Sequence, residues 1–213
     1  MSGKPRLYGA SYSVYVRIAR LALIEKGVDH EHVPVDVFAP GGPPAWYRDL
    51  HPFAKIPAFE HGALRLFETA AITRYVDEAF DGPSLQPDTP HDRAVMNQII
   101  GLLDAYAYRA MVWDVYVERV SKPRDGASSD EARIAAGRQT ARICLKTLAS
   151  LKRDGPWLLG TQRTLADLHA APIFDYFIKA AEGRDMLASY PALETWWTSI
   201  AGLPSFAVSE PEE

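Results

Sequence analysis

Between Asp81 and Pro90 the chain carries Gly82, Pro83, Pro87 and Pro90, and the hydrophobic patterning has a different period on each side of them. Prolines at that density fix φ and remove backbone donors, so no regular element runs through the stretch. Before it, short strand-like runs alternate with a helical spacing. After it, apolar residues recur at helical spacing almost to the end. The division predicts a small α/β domain over 1–82, a linker over 83–90 and an all-α domain over 91–213.

Within the first part, Leu7-Tyr8-Gly9 closes a first strand, and Val14, Ile18, Leu21 and Ala22 mark a helix from Val14 to Lys26 that Gly27 stops. A second strand is expected over His32-Val33-Pro34-Val35-Asp36-Val37, with Pro34 marking a sheet edge. The run Ala39-Pro40-Gly41-Gly42-Pro43-Pro44 is irregular. Two short runs, 56–59 and 64–67, flank His61-Gly62 as a hairpin, and a helix from Thr69 to Phe80 follows with Thr69 as its N-cap. The second part predicts five helices, over 91–120, 130–153, 165–181, 184–189 and 192–201.

Composition removes several function classes. Net charge is −4, from 23 Lys+Arg against 27 Asp+Glu, and no basic run is present, so nucleic acid is not an expected partner. No stretch reaches the ~18 apolar residues of a membrane helix, and the N-terminus lacks the apolar core of a signal peptide. A single cysteine, Cys144, leaves no intramolecular disulfide and no all-Cys zinc site. His30 and His32 would share a strand face, and they read as surface residues rather than metal ligands. The expected compartment is the cytoplasm, with no metal, no nucleotide and no membrane partner.

Two segments carry chemistry. In His51-Pro52-Phe53-Ala54-Lys55-Ile56-Pro57-Ala58-Phe59, a proline opens a strand. It is either a cis-proline that aims the Ile56 N–H and C=O at an extended peptide ligand, or a trans proline that merely starts an edge strand. In Phe67-Glu68-Thr69, a strand gives way to a helix. The helix N-terminus suits a ligand carboxylate, and Glu68 suits an ammonium group on the same ligand. Together they describe a site for the α-carbon end of an amino acid.

These residues resemble a cytosolic glutathione transferase, of the bacterial or phi-like, serine-type kind, along nearly the whole chain. The segment 51–59 resembles the family's cis-proline strand, and Phe67-Glu68-Thr69-Ala70-Ala71-Ile72 resembles its Glu-Ser/Thr motif. Leu159-Gly160, Thr164-Leu165-Ala166-Asp167-Leu168 and Pro172 resemble the capping-box helix of its second domain. The resemblance implies a thioredoxin-like N-terminal domain, an all-helical C-terminal domain and a homodimer. It also implies glutathione as co-substrate, held by Lys55, Ile56, Pro57, Glu68 and Thr69.

An ungapped match from Leu7 to Gly27 puts Ser13 on the family's catalytic serine, with Tyr12 and Ser11 as alternative hydroxyl donors to the glutathione thiol. Val14 and Tyr15 stand where several serine-type classes have Pro-Asn. The loop Gly41-Gly42-Pro43-Pro44 lacks the cation that phi-like relatives place there, and Lys55 is the nearest replacement. An electrophile pocket is expected between the domains, with Phe38, Tyr106, Arg109 and Trp113 as its lining. Tyr106, Arg109, Trp113 and Tyr116 would form one helix face, and Arg109 suggests an anionic or carbonyl-bearing substrate. The implied reaction is attack of a glutathione thiolate on a small hydrophobic electrophile. A glutathione-dependent isomerase or peroxidase, or a non-catalytic carrier of the same fold, is the alternative.

Overall fold

The computed structural model describes residues 3–211. The chain falls into two compact units, one running to Ser84 and taking in the chain from Leu203 onward, the other spanning Leu85–Gly202. The tail after Gly202 therefore belongs with the first unit, whereas the sequence pattern groups it with the helices of the second.

The first unit is built on four strands, β1 (Arg6–Tyr8), β2 (Glu31–Val33), β3 (Ala58–His61) and β4 (Leu64–Phe67), in the order β2-β1-β3-β4. β1 runs parallel to β2 and antiparallel to β3, and β3 and β4 form the hairpin expected around His61-Gly62. Helices α1 (Val14–Glu25) and α2 (Thr69–Ala79) pack together, and α1 buries Val14, Val16, Ile18, Leu21, Ala22 and Leu23. β2 is shorter than the alternation over 32–37 suggests. Pro34 lacks the N–H that would continue the ladder, so pairing stops at Val33 and Val35 turns into the core. His30 lies outside the strand, and His32 reaches inward, its Nε2 2.8 Å from the Gly9 carbonyl.

A short helix α9 (Pro204–Ser209) closes this unit against α1. Arg20 donates to the carbonyls of Val208 (3.0 Å) and Ser209 (3.4 Å), the Ser205 hydroxyl donates to Glu25, and Arg17 lies over the Phe206 ring at 5.2 Å. Six residues between a proline and an acidic terminus give too short a period for a sequence pattern to register.

The second unit is helical. α3 (Pro90–Leu102) starts at Thr89, whose hydroxyl caps the Asp92 N–H at 3.0 Å. Instead of one α-helix over 91–120, the chain widens into a π-helical stretch, Leu103–Ser121, closed by the single turn α4 (Lys122–Arg124). Its buried residues include Leu103, Ala107, Met111 and Val115, a spacing of four that suits a helix with bonds reaching five residues back. The elements α5 (Glu131–Leu151), α6 (Leu165–Lys179), α7 (Ala181–Ala188) and α8 (Pro191–Ala201) complete the unit.

α6 is its core helix, and the expected capping box forms at its start. Asp167 does more than close that box. It accepts from the Thr164 N–H (2.7 Å), the Leu158 N–H (2.7 Å), the Trp196 indole (2.9 Å) and the Thr164 hydroxyl (3.1 Å). Burial pushes its carboxyl up, and these donors pull against that. Arg163, at the position a hydrophobic staple would fill, lies instead over the Trp157 ring at 5.1 Å.

Candidate active site

The sheet register brings the candidate residues of the first unit to one end. Tyr8 pairs with Val33 on one side and Ala58 on the other, and Ala58 pairs with Phe67. Whatever follows Tyr8, Val33 and Phe67, or precedes Ala58, therefore leaves the sheet at the same edge. Those segments hold Ser11, Tyr12 and Ser13, then Phe38, then Lys55-Ile56-Pro57, then Glu68-Thr69. Gly9 shows how tight the approach is. At φ +151 it needs no side chain, and a Cβ there would meet Val16 at 2.4 Å and Ile56 at 3.2 Å.

The Ile56–Pro57 bond is cis, the first of the two alternatives the sequence left open. The approach to it is a tight turn, in which the Ala54 N–H donates to the His51 carbonyl at 2.8 Å. Ala54 sits at φ +51 without being glycine. A Cβ in that conformation costs about 1 kcal/mol. Ala54→Gly is accordingly expected to raise the thermal midpoint slightly, or at worst leave it level because glycine also loosens the unfolded chain. Scanning calorimetry checks this. The buried Tyr47 donates to the Lys55 carbonyl at 2.8 Å and so fixes the same segment from below.

At the other anchor the structure corrects the expected cap. Glu68, not Thr69, is the N-cap of α2, because Glu68 at φ +71 turns the chain one residue earlier. A non-glycine residue held there costs about 1–3 kcal/mol, a pattern that clusters at ligand clamps. The Ala71 and Ile72 N–H groups donate to the Glu68 carbonyl at 3.0 Å, which leaves the Thr69 and Ala70 N–H groups unused by the helix. Thr69 is the first helical residue and is buried, while Glu68 is exposed.

Among the three hydroxyls, Tyr12 is tied down: it donates to Asp36 at 2.6 Å, and Asp36 also accepts from the Phe38 N–H at 2.8 Å. Ser13 is the N-cap of α1, and its Oγ accepts from the Val16 N–H at a long 3.4 Å. Capping uses an oxygen lone pair, so the Ser13 hydroxyl proton stays free to be donated. Ser11 is half-buried in the turn before it. Phe38 is 66% exposed, and Lys55 is exposed beside the cis bond.

Tyr106, Arg109 and Trp113 belong to the second unit. They do not form the single face that α-helical spacing suggests. Tyr106 and Arg109 are exposed, and Arg109 donates to Asp114 at 3.1 Å. Trp113 is half-buried and hydrogen-bonds Tyr108, and Tyr116 packs on Tyr176 with ring centroids 4.7 Å apart. The π-helical winding shifts each side chain from its α-helical position, and Arg109 already has a carboxylate partner. Among the described residues no group of three His, Cys, Asp or Glu is placed to hold a metal, and no helix is long and apolar enough to cross a membrane.

Sequence reasoning missed His51, Tyr47 and Asp36, which buttress the site. His51 opens the segment 51–59 and Asp36 lies in the run 32–37, but only the fold shows what each one touches.

Known proteins share this arrangement. Residues 7–84 match the glutathione S-transferase N-terminal domain and residues 108–204 match its C-terminal domain. A glutathione S-transferase of Hyoscyamus muticus is 30% identical over 95% of this chain and 95% of its own. The structure of glutathione S-transferase III in apo form superposes with a TM-score of 0.85 at 27% identity, covering 97% of this chain and 95% of that one. Glutathione transferase F7 of Populus trichocarpa gives 0.81 at 27% identity, covering 96% and 97%. With both domains matched in order and a relative aligned over 95% of both chains, the chain belongs to the glutathione S-transferase family.

Proposed function

We propose that this glutathione transferase binds glutathione at the shared end of the sheet and activates its thiol through Ser13. The observation that carries the reading is the common edge at which Ser13, Ile56–Pro57 and Glu68–Thr69 all emerge. The Ile56 backbone pairs with the peptide part of the ligand, as an added strand would. Glu68 takes the γ-glutamyl ammonium, and the unused N–H groups at the start of α2, with the Thr69 hydroxyl, take its carboxylate. Lys55 is the cation nearest the peptide-binding segment.

The thiol proton leaves to solvent. The sulfur anion is then stabilised by the Ser13 hydroxyl and by the N-terminal end of α1, whose partial positive charge favours it. The thiolate attacks an electrophilic carbon, a carbon–sulfur bond forms, and the leaving group departs with its electron pair. Phe38, largely exposed beside this end of the sheet, is proposed to meet the hydrophobic electrophile. The family suits a homodimer, proposed here to work in the cytoplasm, with neither metal nor nucleotide called upon.

Glu68→Gln tests the binding half of the reading. Removing one charged hydrogen bond is worth about 1.5–3 kcal/mol, so KM for glutathione should rise about tenfold or more in conjugation to chlorodinitrobenzene, with kcat changed far less. A variant with unaltered KM contradicts the assignment of Glu68.

A further inference from the structure

Against Phe67, the residue before Glu68, lies a histidine that the reaction itself does not use. His51 is 3% exposed, and its Nδ1 has no hydrogen-bond partner among the described residues. Its backbone is fixed on both sides: its N–H donates to the Tyr47 carbonyl at 2.9 Å, and its carbonyl accepts from Ala54. The ring is boxed by aromatics, with Phe67 at 4.9 Å, Phe53 at 6.3 Å and Tyr47 at 6.4 Å between centroids. Phe67 is the residue immediately before Glu68. One side chain thus joins the turn that presents Ile56 to the strand end that presents Glu68.

A neutral imidazole sits in such a box at modest cost. An imidazolium makes both ring nitrogens donors in a buried site that offers Nδ1 no acceptor, so it calls for an anion. The charged groups that the ring feels are Glu68, at the start of α2, which favours protonation, and Lys55, in the turn, which opposes it. Burial, the largest influence, outweighs Glu68 and the histidine's own backbone carbonyl and holds the imidazole below its ordinary 6.5. The phenol of Tyr47 is pushed far up by its own burial and stays neutral.

Resting on the glutathione-binding reading above, we propose that His51 is a positioning residue for the γ-glutamyl end of the ligand. In its neutral form it leaves Glu68 free for the ligand ammonium; once protonated it draws Glu68 into an internal ion pair and weakens binding. Linkage makes the effect reciprocal. A ligand ammonium on Glu68 removes the carboxylate that steadies the imidazolium, so bound ligand holds His51 neutral to lower pH.

The probe is S-methylglutathione, whose thioether does not titrate. Its ammonium only gains protons on acidification, which acts in the opposite direction, and ordinary carboxylates stay ionised above pH 5. Its Kd is measured by calorimetry from pH 7 to pH 5 on the full-length wild type and on His51→Asn. The wild-type Kd should rise about severalfold, while the His51→Asn value changes less than about twofold. As a second readout, the His51 Cε1–H resonance of wild type should titrate at lower pH when S-methylglutathione is bound, and this holds whether or not the variant folds. Equal pH dependence in both proteins, or a His51 titration unmoved by ligand, overturns the proposal and leaves the glutathione site standing. Failure of S-methylglutathione to bind wild type at pH 7 overturns the site itself and this proposal with it.

Discussion

Ser13→Ala is expected to lower kcat/KM for glutathione conjugation by about 10²–10³, the loss seen when one preorganised donor to a developing anion is removed. The loss should fall on kcat at neutral pH and shrink as pH rises, because an unassisted thiol ionises by itself near ~8.5. Stability should change little in comparison. The Ser13–Val16 cap is long, at 3.4 Å, and losing such a cap costs about 1 kcal/mol. Tyr12→Phe serves as the control. Its hydroxyl is already committed to Asp36, so removing it should leave kcat within severalfold of wild type and act on the loop it tethers. Initial-rate kinetics over pH on the three proteins separate these outcomes. A Tyr12→Phe loss matching or exceeding that of Ser13→Ala would reassign the donor.

The second large effect concerns folding. Asp167→Ala orphans the Leu158 and Thr164 N–H groups and the Trp196 indole N–H at once. Each unsatisfied buried donor costs about 1–3 kcal/mol, so a loss of at least about 3 kcal/mol is expected. For a chain of this size that lowers the thermal midpoint by on the order of 10 °C. Thr164→Ala, which leaves the backbone donors paired to the carboxylate, should cost only about 1 kcal/mol. Thermal unfolding followed by circular dichroism compares the two. Similar midpoints for both variants would mean that Asp167 closes the capping box and nothing more.

The two motifs that located the site are local in the sequence, and that is why they were legible there. Ile56-Pro57 and Phe67-Glu68-Thr69 each place their chemistry at a strand end, so a short window carries the message. That they face one another follows from the pairing of Tyr8 with Ala58 and of Ala58 with Phe67, which no window contains. The same limit explains His51. Nothing in its neighbours predicts a ring boxed by Phe67, sixteen positions away in the chain. The cap lies at Glu68, one position before the Thr69 that the pattern favours, because hydroxyl residues prefer caps and a glutamate at φ +71 has no sequence signature. Over 103–121, apolar residues four apart suit an α-helix and a wider one nearly equally, and the face of Tyr106, Arg109 and Trp113 depended on that choice.

The central claim is that Ser13 holds glutathione as a thiolate, and a difference-absorbance titration of bound glutathione against pH tests it most directly, on wild type and Ser13→Ala. The account predicts a thiol that ionises well below its solution value in wild type and returns toward ~8.5 in the variant. A bound thiol that ionises at its solution value in wild type, or a depressed value that Ser13→Ala leaves in place, contradicts it.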